Sequence, residues 1–436
     1  MTKQTFTIII LCEAWIACNS PNSPVESKNN IIPPSDSSPT VSIIPNKTKL
    51  APGDTLKISL QASDSTLANG SIDFSDGTII QFNHLSKIFD TTIVHIYSQV
   101  GIYNIYVKFS DGNMTTSSSL IITVTFVWTT QSSGTINTLY SVFFTKMNTG
   151  VVVGDNGTIL RTINEGTTWE TVSSGTAATL NRVSFVNELI GTVVGTGGTI
   201  LRTIDGGKSW TPQISGTNSN LHSVSFIDAN DGAVVGDNGT ILLTKDGGTN
   251  WINQTPIKWD TIIPPSPPML YDVCYPEPNH IIALSGGTWS FSLRTTNGGT
   301  NWVYERNVPS NYPRIIFWNK DTGMMFCPDH MTGQNWTIVY KTTDGGNTWF
   351  QYGGSTGGIY AYDVSFSNPD NGMIVGSPSS VGGSTIECTT DGGQTWTAQS
   401  SGTTSIALFG VFFIAANNGT IVGSGGTILH TTPGGM

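Results

Sequence analysis

Between residues 41 and 125 apolar and polar positions alternate with a period of two, as in LKISLQAS (56–63) and YNIYVKFS (103–110). Successive side chains on a strand point to opposite faces, so this pattern predicts strands buried on one side. Pro52-Gly53-Asp54, Asp76-Gly77 and Asp111-Gly112 break the runs with turn residues. The segment is expected to fold as a compact β-sandwich.

From residue 126 a longer rhythm takes over. The frame L-x-x-V-x-F appears as LYSVFF (139–144), LNRVSF (180–185), LHSVSF (221–226) and LYDVCY (270–275), with looser copies YPRIIF (312–317), AYDVSF (361–366) and LFGVFF (408–413). A second string, T-x-[D/N]-G-G-x-x-W, ends at Trp169, Trp210, Trp251, Trp302, Trp349 and Trp396, with spacings of 41, 41, 51, 47 and 47 residues. Between them lies G-x-V-V-G-x-x-G-T-I-L. Each unit reads as four strands, a to d; in the first they are LYSVFFT, GVVVGD, TILRTI and TTWETV. Repeats of about 40–50 residues carrying four strands each predict a β-propeller, because one small sheet cannot bury both of its faces alone. Seven copies of the first frame predict seven blades. The chain after His430 carries no Trp strand, whereas Phe126–Gly134 resembles the missing piece, and Trp128 precedes Trp169 by 41 residues. The strand at 126–131 is therefore expected to complete the seventh blade. The fold class is all-β, a seven-bladed propeller over residues 126–436 behind a β-sandwich.

In the recurring turn, Asp205, Asp246, Asp344 and Asp391 can accept turn N–H bonds, Asn164 and Asn297 can substitute, and the Gly pairs permit positive φ. The Trp is expected to pack on its hairpin and the next blade. This turn resembles the Asp-box of BNR-repeat propellers, where it is structural. The whole unit resembles the photosystem II assembly and stability factor family over about 310 residues. That resemblance implies a propeller fold; the photosystem partner is not carried over. In the sandwich segment, Ile72–Gly77 is similar to the WDFGDG of PKD domains, His95-Ile96-Tyr97 to their HxY, and Gly101–Val107 with Ser110-Asp111-Gly112 to their ending. PKD domains are mostly extracellular spacers or weak binders.

Composition changes the picture in three ways. Only 11% of residues are charged and the net charge is −10, with an isoelectric point near 4.9; nucleic acid, which requires a cationic surface, is excluded as a partner. Residues 1–18 (MTKQTFTIIILCEAWIAC) have a short apolar core, too short to span a bilayer. Ile16-Ala17-Cys18 resembles a bacterial lipobox, which implies a lipid anchor on Cys18. Residues 19–40 are rich in Pro, Ser and Asn and read as a tether. The expected location is the bacterial cell envelope, as an outer-membrane or cell-surface lipoprotein, with secretion as the alternative. Cys274, Cys327 and Cys388 have no metal-ligand spacing and read as buried free thiols.

No catalytic constellation emerges. Arg161, Arg202 and Arg294 share one repeat position on strand c and splay around the ring, unlike the converging Arg triad of sialidases. Asp272 and Asp363 share a position near the start of strand a with Ser141, Arg182, Ser223, Arg314 and Gly410. A pair of carboxylates there keeps a glycosidase open as an alternative; an assembly factor for a membrane complex is another. No cofactor or metal is indicated. In a propeller the d–a and b–c loops share one face, and the long insertions all fall in that set, in blades four to six. They carry Trp259, Trp289, Tyr312, Asp329, His330, Trp336, Tyr352 and Tyr360. Aromatics mixed with Asn, Ser and Gly suit recognition of a protein or glycan ligand. The leading expectation is a monomeric, non-catalytic binding protein.

Overall fold

The computed structural model describes residues 37–254, 268–287, 290–305, 312–328, 337–355, 358–378, 385–400, 407–415 and 418–431. The chain divides into two units between Val127 and Trp128.

The first unit is a pair of sheets. One has three strands in the order Thr40–Pro45, Thr55–Ser63, Ile88–Ile96. The other has five, in the order Lys49–Leu50, Thr115–Val124, Gly101–Ser110, Asn69–Asp73, Ile79–Asn83. The period-two residues do what the alternation requires. Leu56, Ile58 and Leu60 from one sheet meet Ile72, Ile105, Val107 and Phe109 from the other in a core that excludes solvent. Residues of the segments 72–77 and 95–97 converge at one end. Tyr97 donates its hydroxyl to the Phe74 carbonyl at 3.0 Å, His95 stacks on Phe74, and His95 Nε2 lies 2.7 Å from Asp76. Asp73 and Asp76 accept the amides of Ser75 and Thr78, as turn carboxylates do.

Among its described residues the second unit has seven four-stranded antiparallel sheets. In six of them the four strands are consecutive; the seventh is Leu408–Ala415, Asn418–Gly423 and Ile428–Thr431, finished by Thr129–Gln131. The a strands neighbour one another in sequence order, and the strand Leu408–Ala415 returns to Leu139–Lys146. The sheets thus close on themselves around an axis lined by the a strands. Apolar residues of adjoining sheets interleave: Val194 and Ile200 of the second meet Leu221, Val224, Val234 and Leu242, which belong to the third.

The turn Trp faces the other way from the sequence expectation. Trp169 bonds through Nε1 to Gln131 of the seventh sheet at 3.1 Å, and Trp251 to Gln213 of the second at 3.2 Å. Trp210 packs edge-on to Phe185 of its own sheet and reaches Val151 and Val153 of the first. Each Trp therefore covers the preceding sheet rather than the next. The reason is local: strand d starts directly after the turn, and the turn leans back over the previous sheet's d strand. The Gly closing each V-V-G has a steric cause. A Cβ on Gly154 would strike the Thr138 carbonyl, and Gly236 would meet that of Asn220. In these two sheets strand a enters so close across the end of strand b that a Cβ would collide with its backbone; the fourth sheet has Ser285 at the paired position.

Candidate functional site

Strand a begins at the axial mouth, on the side of the d–a and b–c loops. In six sheets its pairing with strand b slips by one residue at the second position of the repeat frame, between Leu139 and Ser141, Leu180 and Arg182, Leu221 and Ser223, Leu270 and Asp272, Ala361 and Asp363, and Leu408 and Gly410. A bulge bends the strand and re-aims its extra residue. Those residues are Tyr140, Asn181, His222, Tyr271, Tyr362 and Phe409, all half-buried. In the fifth sheet Tyr312, just ahead of Arg314–Phe317, takes the place.

Five of these rings and one imidazole form an arc around the mouth. His222 stacks on Tyr271 with centroids 5.4 Å apart, Tyr271 meets Tyr312 edge-on at 5.1 Å, and Tyr312 meets Tyr362 at 6.0 Å. Tyr362 stacks on Phe409 at 5.1 Å, which touches Tyr140 at 5.2 Å. The arc is open at the second sheet, where Asn181 donates to the Leu221 carbonyl at 2.8 Å. Its rim carries two carboxylates from the b–c turns. Asp155 lies 3.5 Å from the Tyr140 hydroxyl and accepts from Thr179 at 3.0 Å; Asp237 lies 2.7 Å from His222 Nε2. Burial, with Asp155 and with Tyr312 and Asp237 adding to it, pushes the Tyr140 and Tyr271 hydroxyls up, so both stay protonated at neutral pH.

Directly below lies the third repeat position, and here the units differ. Arg182 Nη1 bonds Asp363 Oδ1 at 2.8 Å, joining the second and sixth sheets across the axis. Asp363 Oδ2 accepts the Val411 amide at 3.1 Å. Asp272 accepts Ser223 Oγ at 2.6 Å, its neighbour's amide (Val273) at 3.0 Å and the Ile315 amide at 2.9 Å. Arg314 Nε is 3.7 Å from Asp363 Oδ1. Burial alone would lower the pKa of Arg182, but Asp363 and Asp272 override it and hold it above the ordinary arginine value. For Arg314 burial prevails, aided by Arg182 and only partly offset by the two carboxylates. Both stay cationic at neutral pH. Asp272 and Asp363 are nearly solvent-free; Asp272 is committed to a serine hydroxyl and two strand amides, and Asp363 to Arg182 and a strand amide.

The structure brings only part of the sequence-derived site together. Tyr312 stands in the arc, 42% exposed. Tyr360 opens the strand Ile359–Phe366 at the same end, paired with Ser377. Tyr352 does not join them. Its hydroxyl accepts Gln394 Nε2 at 2.8 Å, and the Lys341 ammonium sits 4.3 Å from its ring centroid. It is held against the Asp391 turn of the next sheet, on the opposite face. Trp259, Trp289, Asp329, His330, Trp336 and Cys18 lie outside the described residues. The strand-c arginines tie sheets together: Arg161 Nε donates to Gly206 O at 2.8 Å, Arg202 Nη2 to Ala229 O at 2.6 Å, and Arg294 to Asn347. Among the described residues no cluster of three or more His, Cys, Asp or Glu could hold a metal ion. Cys274, Cys327 and Cys388 are unbridged thiols, and burial and Asp272 push Cys274 up to about 12.

Comparison with known proteins fits this architecture. A model of the photosynthesis system II assembly factor YCF48 family matches residues 120–215 and 355–436. Among solved structures, YCF48 from Cyanidioschyzon merolae is similar with a TM-score of 0.56 and 20% identity, covering 70% of this chain and 98% of that one. A structure of YCF48 bound to D1 peptide gives 0.53 and 21%, covering 70% and 94%. The WD40 propeller domain of Doa1 gives 0.53 at 14% identity, covering 70% and 95%. At these identities the structural likeness establishes the β-propeller fold. No curated protein matches the chain.

Proposed function

We propose that this chain is a non-catalytic binding protein whose seven-bladed propeller captures a segment of another protein at its axial mouth. The observation that carries the reading is the aromatic arc. Six sheets each spend a bulge on presenting a half-buried residue there, and five of those positions hold a ring. A bulge costs ladder hydrogen bonds, and rings left half-exposed at a concave mouth are the usual anchors of recognition. The similar YCF48 structure holds a D1 peptide, which favours a protein segment over a glycan. The matching family is described as an assembly factor, so the partner under this reading is a subunit of a membrane complex. The PKD-like sandwich serves as a spacer, residues 19–40 as a tether, and a lipid on Cys18 as the anchor in the bacterial envelope.

The test compares capture of cross-linked envelope partners by the full-length parent, by the triple variant Tyr271→Ala/Tyr312→Ala/Tyr362→Ala, and by Tyr352→Ala. Loss of an anchor aromatic costs about 2 kcal/mol or more, ~30-fold in affinity. The triple variant should lose the partner, and Tyr352→Ala, altered on the far face, should keep it. The reverse pattern, or captured material that resists protease and yields to glycosidase, would overturn the reading.

A further inference from the structure

The charged layer under the arc is not evenly satisfied. Asp272 accepts three hydrogen bonds and Asp363 two, one of them from Arg182. Arg314 forms none among the described residues. Its Nε is buried without a partner, its closest carboxylate oxygen is 3.7 Å away, and its side chain keeps 20% of its surface exposed. A guanidinium carries five N–H donors in a planar fork, and leaving donors unmatched in a protein interior is costly. The neighbours that could have satisfied it bond elsewhere: Asp272 to neutral donors, Asp363 to Arg182. Immediately above are Tyr312, two residues earlier in the chain, and the two rings it touches edge-on, Tyr271 and Tyr362.

We propose that Arg314 is the anchor of a carboxylate-binding subsite at the axial mouth, with the Tyr271–Tyr312–Tyr362 rings holding the apolar or aromatic body next to that carboxylate. A planar carboxylate matches the guanidinium fork in two parallel hydrogen bonds. A single negative charge is favoured over a phosphate dianion. The layer already holds Asp272 and Asp363, and the rim adds Asp155 and Asp237, so a second ligand charge meets repulsion from four carboxylates. The gap at Asn181, where the arc has no ring, gives the ligand a way in beside Arg182.

This subsite deepens the proposed function and rests on the mouth being the binding surface. The same chemistry could come from the C-terminus of a peptide or from a small free acid. The probes are therefore N-acetyl-Ala-Phe as the free acid, the same dipeptide as its C-terminal amide, 3-phenylpropionate and inorganic phosphate. Each is titrated into the full-length protein by ligand-observed NMR. The free-acid dipeptide should bind at least about tenfold more tightly than its amide, and phosphate should not compete. Tight binding of the dipeptide acid alone assigns a chain terminus; equal binding of 3-phenylpropionate assigns the acid itself. Arg314→Gln should abolish the acid–amide difference. Arg314→Lys, which keeps the charge and supports folding, should weaken acid binding about tenfold by losing the fork. Equal affinity for acid and amide, or unchanged acid binding in an Arg314→Gln protein with a parental melting curve, overturns the subsite. Partner capture that still depends on the three tyrosines in that case leaves the binding reading standing. If capture ignores the tyrosines as well, both fail.

Discussion

Gln131 and Gln213 occupy the same repeat position, make the same contacts, and differ only in how their strands are attached. Gln131 Nε2 donates to the Glu165 carbonyl at 2.9 Å and its Oε1 accepts from Trp169 at 3.1 Å. Gln213 Nε2 donates to Gly247 O at 2.9 Å and accepts from Trp251 at 3.2 Å. Both side chains are half-buried. Replacing either with Ala strands one indole N–H and one carbonyl. Two half-buried orphans at the low end of ~1–3 kcal/mol each give about 2 kcal/mol. In a unit of this size that lowers the melting temperature by about 4 °C. The equilibrium losses should therefore match. The kinetics should not. Strand Thr211–Gln213 is continuous with the third strand of its own sheet through the turn, whereas Thr129–Gln131 is held to Ile428–His430 by strand pairing and the Thr129 hydroxyl's bond to the His430 carbonyl at 3.0 Å, with no such chain connection. Gln131→Ala should accelerate hydrogen exchange at Ile428–His430 by about tenfold or more, while Gln213→Ala leaves the amides of Ile200–Arg202 close to parental. Differential scanning calorimetry and exchange mass spectrometry read both effects. A Gln131→Ala protein that melts within about 1 °C of the parent, beside a Gln213→Ala protein that loses about 4 °C, would refute ring closure by this strand.

Two further outcomes follow from local chemistry. Hydrogen bonds from Ser209, Thr203 and the turn amides outweigh burial and hold Asp205 at about 2, and Asp246, Asp344 and Asp391 are also held below the usual carboxylate value. Their folded pKa values are depressed, so their stabilisation is complete above about pH 4, the unfolded value, and is lost as pH falls toward about 2. The melting temperature should drop across that window in parent protein, and Asp205→Asn should flatten part of the drop; an unchanged slope would count against the turn carboxylates. If the proposed lipid on Cys18 is the anchor, Cys18→Ser should shift the protein from the membrane to the soluble fraction; equal partitioning would remove the lipid anchor from the proposal.

The strands were legible because the repeat states each of them several times. In the four strict copies of L-x-x-V-x-F the first and fourth residues are buried, as at Leu139 and Val142, Leu180 and Val183, Leu221 and Val224, and Leu270 and Val273. The third repeat position could be placed at the mouth for the same reason. The arc could not. Strict alternation sends the second position to the opposite face from the first and third, into the space between sheets. The bulge that redirects Tyr140, Tyr271, Tyr362 and Phe409 has no residue signature of its own there: across the ladder stand Gly154, Gly376 and Gly423 in three of these sheets but Ser285 in the fourth. Loop length misplaced Tyr352 in a comparable way. Its place in the chain groups it with the long connection that follows, but the strand Phe350–Gly354 starts at the c–d turn, and the Lys341 and Gln394 contacts keep the ring there.

The repeat also separates scaffold from site in a way that one copy could not. Where the first six units agree, at the turn Asp or Asn and the Trp, the residues build the scaffold: hydrogen bonds such as Gly207 N–H to Thr203 and Gly299 N–H to Thr295 shape the turn, and Trp169 and Trp251 bond to the preceding sheet. Where the units disagree, symmetry is broken on purpose or by neglect, and the contacts tell which. The disagreement at the third position does not scatter. Its two cations and two anions meet over the axis, Arg182 crossing to Asp363 and leaving Arg314 as the guanidinium of the layer with no hydrogen bond among the described residues. A structural role alone would be served by a second crossing pair, since Asp272 is near enough to act on both arginines. Asp272 instead accepts from a serine hydroxyl and two strand amides. That choice keeps one cation available beneath three tyrosines, and it is the asymmetry from which a ligand's charge and orientation at this mouth are best read.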